Sequence, residues 1–379
     1  MRDKLNRAVY GARRSAIREY SALAAATPGC IRLTLGEPEA DTPLPVRRRA
    51  QAALEAGETH YIPNNGSPAL LERIAAFERE KNGMDYAPGE IMVTAGATEA
   101  LFVALFGILN PGDEVVIPVP AFVLYEEIVK LCRGVPVMLD TAPAMFRIDG
   151  KALKRCLSPR TKAVILNTPN NPTGCVYSRE SLDAVYAAVR DRDIFVICDD
   201  VYRQLAYTED CRSFAEYRDL RDRLLVVQSF SKPYAMTGWR MGYLMCDAPV
   251  KERLELIHQF AVVSTPAPFQ AAAAEALDYD PSELRERYRV RRDYVTGRLR
   301  DMGLTVPQPE GAFYVFPSIE QFGIPSGEFC ARMIREAGVA AVPGFCFGGE
   351  GHIRLSYCCG DHALREGLDR MERFLRTLS

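Results

Sequence analysis

Only one tryptophan and four histidines occur among 379 residues, and no His-Glu-x-x-His pairing is present, which excludes the familiar zinc-protease helix. No Cys-x-x-Cys pair exists either. The eleven cysteines are odd in number and scattered, with Cys358 and Cys359 adjacent, so they form neither a zinc ribbon nor a regular disulfide framework. That usage fits a reducing cytoplasm, and no metal site is expected. Neither G-x-G-x-x-G nor a Walker A loop is found. The net charge of −2 supplies no long-range field for nucleic acid or an anionic membrane. The uncharged runs 100–112 and 261–274 fall short of the roughly 20 apolar residues of a membrane span. Basic residues at the start (Arg2, Lys4, Arg7, Arg13, Arg14 and Arg18) are broken by Asp3 and Glu19 with no apolar stretch behind them, so a solvated surface helix is expected rather than a targeting signal.

What is present is an ordinary globular composition, 48% hydrophobic and 25% charged, long enough for about two domains. From residue 90 onward, short β-branched runs alternate with helical patterns, the signature of βαβ units and a mostly parallel sheet. Strands are expected at 91–94, 114–118, 135–139, 163–167, 194–199, 224–229 and 242–246. Most are continuously apolar, as strands buried on both faces are. Helices are expected at 98–109 and 181–190, with Ser178 or Ser181 as N-cap. After residue 278 a long charged helix carries Leu284, Tyr288, Val295 and Leu299 as an apolar stripe, its arginines forming a solvated face. Strands at 312–316 and 352–357 and helices at 326–337 and 361–378 follow. The expected fold class is therefore α/β: a large domain over 45–278 with a seven-stranded sheet between helices, and a smaller α+β domain built from 1–44 and 279–379.

Three clusters carry candidate chemistry. Ser229-Phe-Ser-Lys232-Pro-Tyr-Ala-Met-Thr-Gly-Trp-Arg240 follows a strand. A lone lysine usually points into water, but an amine just past the carboxyl end of a parallel strand faces the crevice where open α/β sheets bind ligands. There Lys232 can form an imine with a carbonyl cofactor while Arg240 grips a phosphate. Ser229-x-x-Lys232 also spells the S-x-x-K of penicillin-binding acyl enzymes, yet no K-T-G follows and the serine ends a strand instead of opening a helix. Asn167-Thr-Pro-Asn170-Asn171-Pro172-Thr173-Gly174 makes a tight turn after a buried strand, and Asp199-Asp200-Val201-Tyr202 ends another. Alone, these read as a turn and a cap.

Together the three resemble the fold-type I, pyridoxal-phosphate (PLP)-dependent aminotransferases of the class I/II family, and the resemblance runs nearly end to end. It implies Lys232 as the imine lysine, with Ser229 and Arg240 on the cofactor phosphate. It assigns Asp199 to the pyridine nitrogen, and Asn171 and Tyr202 to the phenolic oxygen. Thr94-Ala-Gly96-Ala97-Thr98 resembles the family's phosphate turn, and a strand-to-helix junction suits an anion on its own physical grounds. Pro118-x-Pro120-Ala-Phe122-x-x-Tyr125 resembles the segment whose first aromatic stacks on the pyridine ring, which makes Phe122 the stacking candidate against plain core packing. Tyr61-Ile-Pro-Asn-Asn-Gly66 resembles the segment whose tyrosine reaches the neighbouring subunit's phosphate, which implies a homodimer with shared sites. The loop Leu35-Gly36-Glu37-Pro38 resembles the substrate side, and His352-Ile-Arg354 resembles the carboxylate-binding strand. Arginine's planar fork suits that task. Gly66 is followed by Leu70 and Leu71 where relatives commonly have G-x-x-x-L-R, and Ala40 stands where an aromatic is frequent; both bear on subgroup only.

The implied function is transfer of the amino group of an α-amino acid to a 2-oxo acid through a Lys232 Schiff base. Lys232, Asp199 and Tyr202 are the catalytic candidates, and Gly36, Asn171 and Arg354 are the substrate-binding ones. A carbon–sulfur β-lyase on the same scaffold stays open, because β-elimination begins with the same proton abstraction. A non-catalytic PLP-binding regulator is remote, since no basic DNA-binding domain is present.

Overall fold

The computed structural model describes residues 4, 6–11 and 16–378; Arg2, Asp3, Arg13 and Arg14 of the basic N-terminus lie outside them. Among the described residues twelve strands follow in chain order: β1 (Ile31–Arg32), β2 (Ile91–Thr94), β3 (Glu114–Val119), β4 (Val135–Asp140), β5 (Thr161–Asn167), β6 (Phe195–Asp199), β7 (Leu224–Ser229), β8 (Gly242–Met245), β9 (Tyr314–Val315), β10 (Val339–Ala340), β11 (Val342–Pro343) and β12 (Ile353–Ser356). Strands β2 to β8 form one sheet in the order β2-β8-β7-β6-β5-β3-β4. All neighbours are parallel except β8, which runs against both β2 and β7. The fold is α/β with a seven-stranded, mostly parallel sheet, as the alternating pattern implies, and the seven expected strands coincide with these to within two residues.

The continuous apolar runs have a direct cause. Side chains alternate across a strand, and here both faces are covered. Met92, Ile117, Ile165, Ile197, Val227 and Leu244 pack into one core with the helix Ala97–Ile108. Val93, Val116, Val164, Val196, Val226 and Tyr243 pack into another on the opposite face, against helices Pro68–Asn82 and Arg179–Val189. Each fully buried aliphatic side chain contributes roughly 1.5 to 3 kcal/mol, which makes the sheet a rigid platform for whatever its edge carries. Ser178 caps the helix Arg179–Val189, its side chain accepting from the Ser181 backbone N–H.

The remaining strands lie elsewhere. β9, β11 and β12 make an antiparallel sheet in the order β11-β12-β9, and β1 pairs in parallel with β10, joining the two ends of the chain. Strands β1, β10 and β11 are two residues each, too short to leave a periodic signature. The helix Ser282–Asp301 buries Tyr288, Val295 and Leu299 as expected. Its arginines are not all solvated: Arg291 is buried, with Nη2 2.6 Å from Oε1 of Glu39 and Nε 2.7 Å from Oδ1 of Asp361. Arginine inside the stripe is tolerated because two carboxylates from distant segments meet it. The helix Ser326–Arg332 continues as a π-helical turn over Met333–Ala337. Among the described residues no helix is long and apolar enough to cross a membrane.

Candidate active site

The carboxyl ends of β2, β5, β6 and β7 share one edge of the large sheet, and β8, running oppositely, begins there. Register makes the neighbours explicit: Thr94 and Ser229 both pair with Gly242, and Asn167 pairs with Asp199. A cavity of about 390 Å³ opens on this edge. Its walls include Gly36, Ala97, Thr98, Phe122, Asn171, Asp199, Tyr202, Ser229, Lys232, Arg240 and Arg354, brought together from across the chain. Gly96 lies directly against it, with positive φ (80°); a Cβ there would stand 2.5 Å from Nη2 of Arg240. Only glycine lets the guanidinium close over the turn.

Lys232 is three residues past the end of β7 and donates from Nζ to the Gly36 carbonyl at 2.5 Å. Burial pushes its ammonium down to about 8, against the opposing pull of Cys358 and Glu37. The amine is thus far more available as a nucleophile near neutral pH than a surface lysine. Asp199 closes β6. Its carboxyl is pushed up to about 6 by burial, while the hydrogen bond from Tyr125 Oη to Oδ2, at 2.5 Å, and the Val201 N–H favour the charged form. Asp200 points elsewhere: it is 2% exposed and its Oδ2 is 3.7 Å from Nη1 of Arg203. Of the adjacent aspartates, only Asp199 faces the cavity.

Arg354, on β12, is buried. Nη1 donates to Oδ1 of Asn171 at 2.9 Å and Nη2 to the Thr34 carbonyl at 3.0 Å, while its Nε is buried without a hydrogen-bond partner among the described residues. The guanidinium lies 4.5 Å from the Tyr314 ring centroid and 4.9 Å from that of Phe347, which fixes its plane. Two of five donors are committed, so a carboxylate can still be held by the rest. The Tyr202 and Tyr314 hydroxyls are 3.1 Å apart. Arg240 has φ of 55° and donates to the carbonyls of Thr237 and Ala95. The unpaired N–H groups opening the helix Ala97–Ile108, the Thr98 and Ser229 hydroxyls and Arg240 together form a positive cup.

The profile of the family described as "Aminotransferase class I and II" matches residues 28–371. The chain belongs to that family. It is an aminotransferase, and its relatives cover it almost entirely. An aspartate aminotransferase of Pyrococcus abyssi is 40% identical over 373 residues, 96% of each chain. A Bacillus subtilis protein named as a probable N-acetyl-LL-diaminopimelate aminotransferase is 40% identical over 95% of this chain and 93% of its own. Among solved structures, the Thermus thermophilus aspartate aminotransferase with maleate superposes with a TM-score of 0.93 at 36% identity, covering 97% of this chain and 99% of that one.

Of the residues singled out from the aminotransferase's sequence, Tyr61 alone stands apart: it is 89% exposed and lines a separate depression with His60, Arg73 and Gln270. Sequence reasoning missed Tyr125 as the partner of Asp199, although it stands in the same motif, three positions after Phe122. It also missed Tyr314, whose hydroxyl lies 3.4 Å from where a Cβ on Gly36 would sit, and Thr34. Nothing in an apolar run such as 312–316 tells which side chain faces a ligand.

Proposed function

We propose that this aminotransferase binds PLP in the cavity above β6 and β7 and moves the amino group of an α-amino acid to a 2-oxo acid. The observation that carries the reading is the convergence of Lys232, Asp199, Asn171, Tyr202, Arg240 and Arg354 on a single cavity. The fit of the cofactor rests on the glycine cradle at Gly96 beneath Arg240, and the unpartnered Nε of Arg354 is left for the substrate. When bound, PLP supplies a carbonyl carbon for amines and a conjugated ring that takes up electrons. Gly96, Ala97, Thr98, Ser229 and Arg240 would hold its phosphate and Phe122 its ring face. Asp199 would hold the proton on its ring nitrogen. Asn171 has Oδ1 committed to Arg354, which leaves Nδ2 as a donor toward the phenolic oxygen beside the Tyr202 hydroxyl.

Each residue then has a defined task. Lys232 attaches the cofactor through Nζ and, once freed, carries a proton at that atom as general base and acid. Arg354 holds the substrate α-carboxylate, orienting the Cα–H bond toward Lys232. Gly36 accepts from Lys232 and keeps the amine pointed at the reacting carbon. We assign the cofactor-binding part to 45–278 and the smaller part to 1–44 with 279–379, and infer a homodimer in which Tyr61 completes the partner's phosphate cup. The names of the relatives lean toward dicarboxylic, aromatic or diaminopimelate-type donors. A half-reaction screen tests this: with PLP bound, adding individual amino acids should bleach the cofactor's visible band for one of these classes. No change with any α-amino acid would refute the reading.

A further inference from the structure

Glu99 and His258 take no part in the chemistry above, yet they sit directly behind the phosphate-binding turn. Glu99 is in the first turn of the helix Ala97–Ile108, and His258, wholly buried, is on the helix Ala248–Ala261. Gly107 lets the two helices meet, since a Cβ there would stand 2.2 Å from Cδ2 of Leu254, one turn before His258. Nδ1 of His258 lies 2.6 Å from Oε1 of Glu99, and Nε2 lies 2.8 Å from the Asn64 carbonyl. A carbonyl only accepts, so Nε2 carries a hydrogen; another lies between Nδ1 and Oε1, whichever atom owns it. The second carboxylate oxygen of Glu99 accepts from the Ala95 N–H at 2.5 Å, and the Ala95 carbonyl accepts from Nη2 of Arg240 at 3.3 Å.

The contacts therefore run without a break from Arg240 through Ala95, Glu99 and His258 to Asn64. Asn64 belongs to the segment that carries Tyr61. That segment is seated at three more points: the Asn65 carbonyl accepts from the Val93 N–H, the Ser67 N–H donates to Gln270, and the Asn64 side chain donates to the Val263 carbonyl. Packing alone does not call for a buried polar pair here, because well-fitted apolar side chains fill such a space at equal or lower free energy. What the pair adds is a fixed direction for the Ala95–Gly96 peptide and for the Asn64 carbonyl.

We propose that His258 and Glu99 are positioning residues for the cofactor phosphate, setting the Gly96–Thr98 turn from behind and tying it to the Tyr61 segment. The inference rests on the reading of Gly96–Thr98, Ser229 and Arg240 as the phosphate cup. Retention of PLP is then governed by two side chains that never touch it.

Cofactor binding by apo-protein tests this, with PLP and the dephosphorylated pyridoxal as probes. His258→Phe keeps a planar aromatic ring at the position and removes both hydrogen bonds. PLP affinity should fall about tenfold, the ratio one charge-assisted hydrogen bond commands, while pyridoxal affinity stays at the wild-type value. A merely structural defect would weaken both probes alike, and that result overturns the proposal. Glu99→Gln keeps every contact, because its amide can donate to Nδ1 and its oxygen can accept from Ala95; it should retain PLP like wild type, whereas Glu99→Ala should match His258→Phe. If His258→Phe does not fold, this pair decides, and equal PLP affinity in Glu99→Gln and Glu99→Ala contradicts the proposal. Arg240→Ala separates the two claims. If it leaves the preference for PLP over pyridoxal intact, the phosphate reading itself fails; if it abolishes that preference and the Glu99 and His258 variants do not alter it, only the positioning inference fails.

Discussion

The Tyr125 hydroxyl donates to Oδ2 of Asp199 at 2.5 Å, both groups being buried at the carboxyl edge of the sheet. The bond opposes the burial that raises the Asp199 carboxyl to about 6. Removing it with Tyr125→Phe should raise that carboxyl further, so the acidic limb of the kcat/KM profile should move to higher pH. An unmoved limb would show that the tyrosine does not influence Asp199.

Burial of Asp199 also predicts a trade between stability and activity. From the ordinary 3.8 to about 6 the folded apo-protein holds a proton that the unfolded chain has released, so stability falls as pH rises through that window. The full penalty, about 3 kcal/mol, applies above it. Apo Asp199→Asn should therefore be more stable than wild type at pH 7.5, by up to that amount, with the gain vanishing toward pH 4. Its turnover should fall by roughly three or more powers of ten, each ~1.4 kcal/mol of barrier being tenfold. Urea unfolding at the two pH values checks the first point; Asp200→Asn, facing Arg203, should lose far less activity.

Arg354 should read the α-carboxylate of every substrate. Arg354→Ala should lower kcat/KM by about tenfold or more, since hydrogen bonds to charged groups contribute roughly 1.5 to 3 kcal/mol, and lysine should rescue only in part. PLP content should not change. Comparing an amino acid with its decarboxylated amine is the sharpest readout: wild type should prefer the acid strongly and Arg354→Ala should lose that preference.

Tyr61, exposed and not among the residues lining the Lys232 cavity, should work in a partner's site. Mixing inactive Tyr61→Phe with inactive Lys232→Ala chains should regenerate one competent site per hybrid dimer, a gain that shrinks if Tyr61→Phe is only partly impaired. A strictly monomeric active enzyme by sedimentation would defeat this.

Much of this arrangement is legible in the amino-acid sequence. Strands buried on both faces leave unbroken apolar runs, so β2, β3 and β5 to β8 could be read directly, and the residues that end four of them, Thr94, Asn167, Asp199 and Ser229, fall into place at one edge; β4, at the sheet's margin, is partly exposed. Contacts between distant segments left no such trace. The burial of Arg291 depends on Glu39 and Asp361, which sequence separates by hundreds and tens of positions. The Tyr125–Asp199 bond depends on a helix and a strand brought together only by packing, and the β1–β10 pairing is too short for any periodicity to announce it.

Lys232 lines the cavity with its ammonium lowered to about 8 by burial, and it is the residue proposed to attach PLP. The most direct test is borohydride reduction of the PLP-loaded protein followed by proteolysis and mass mapping of the phosphopyridoxyl label. The label should fall on the peptide carrying Lys232 alone, and Lys232→Ala should take up none. A label on another lysine, or an unlabelled protein after loading with PLP, would contradict the assignment.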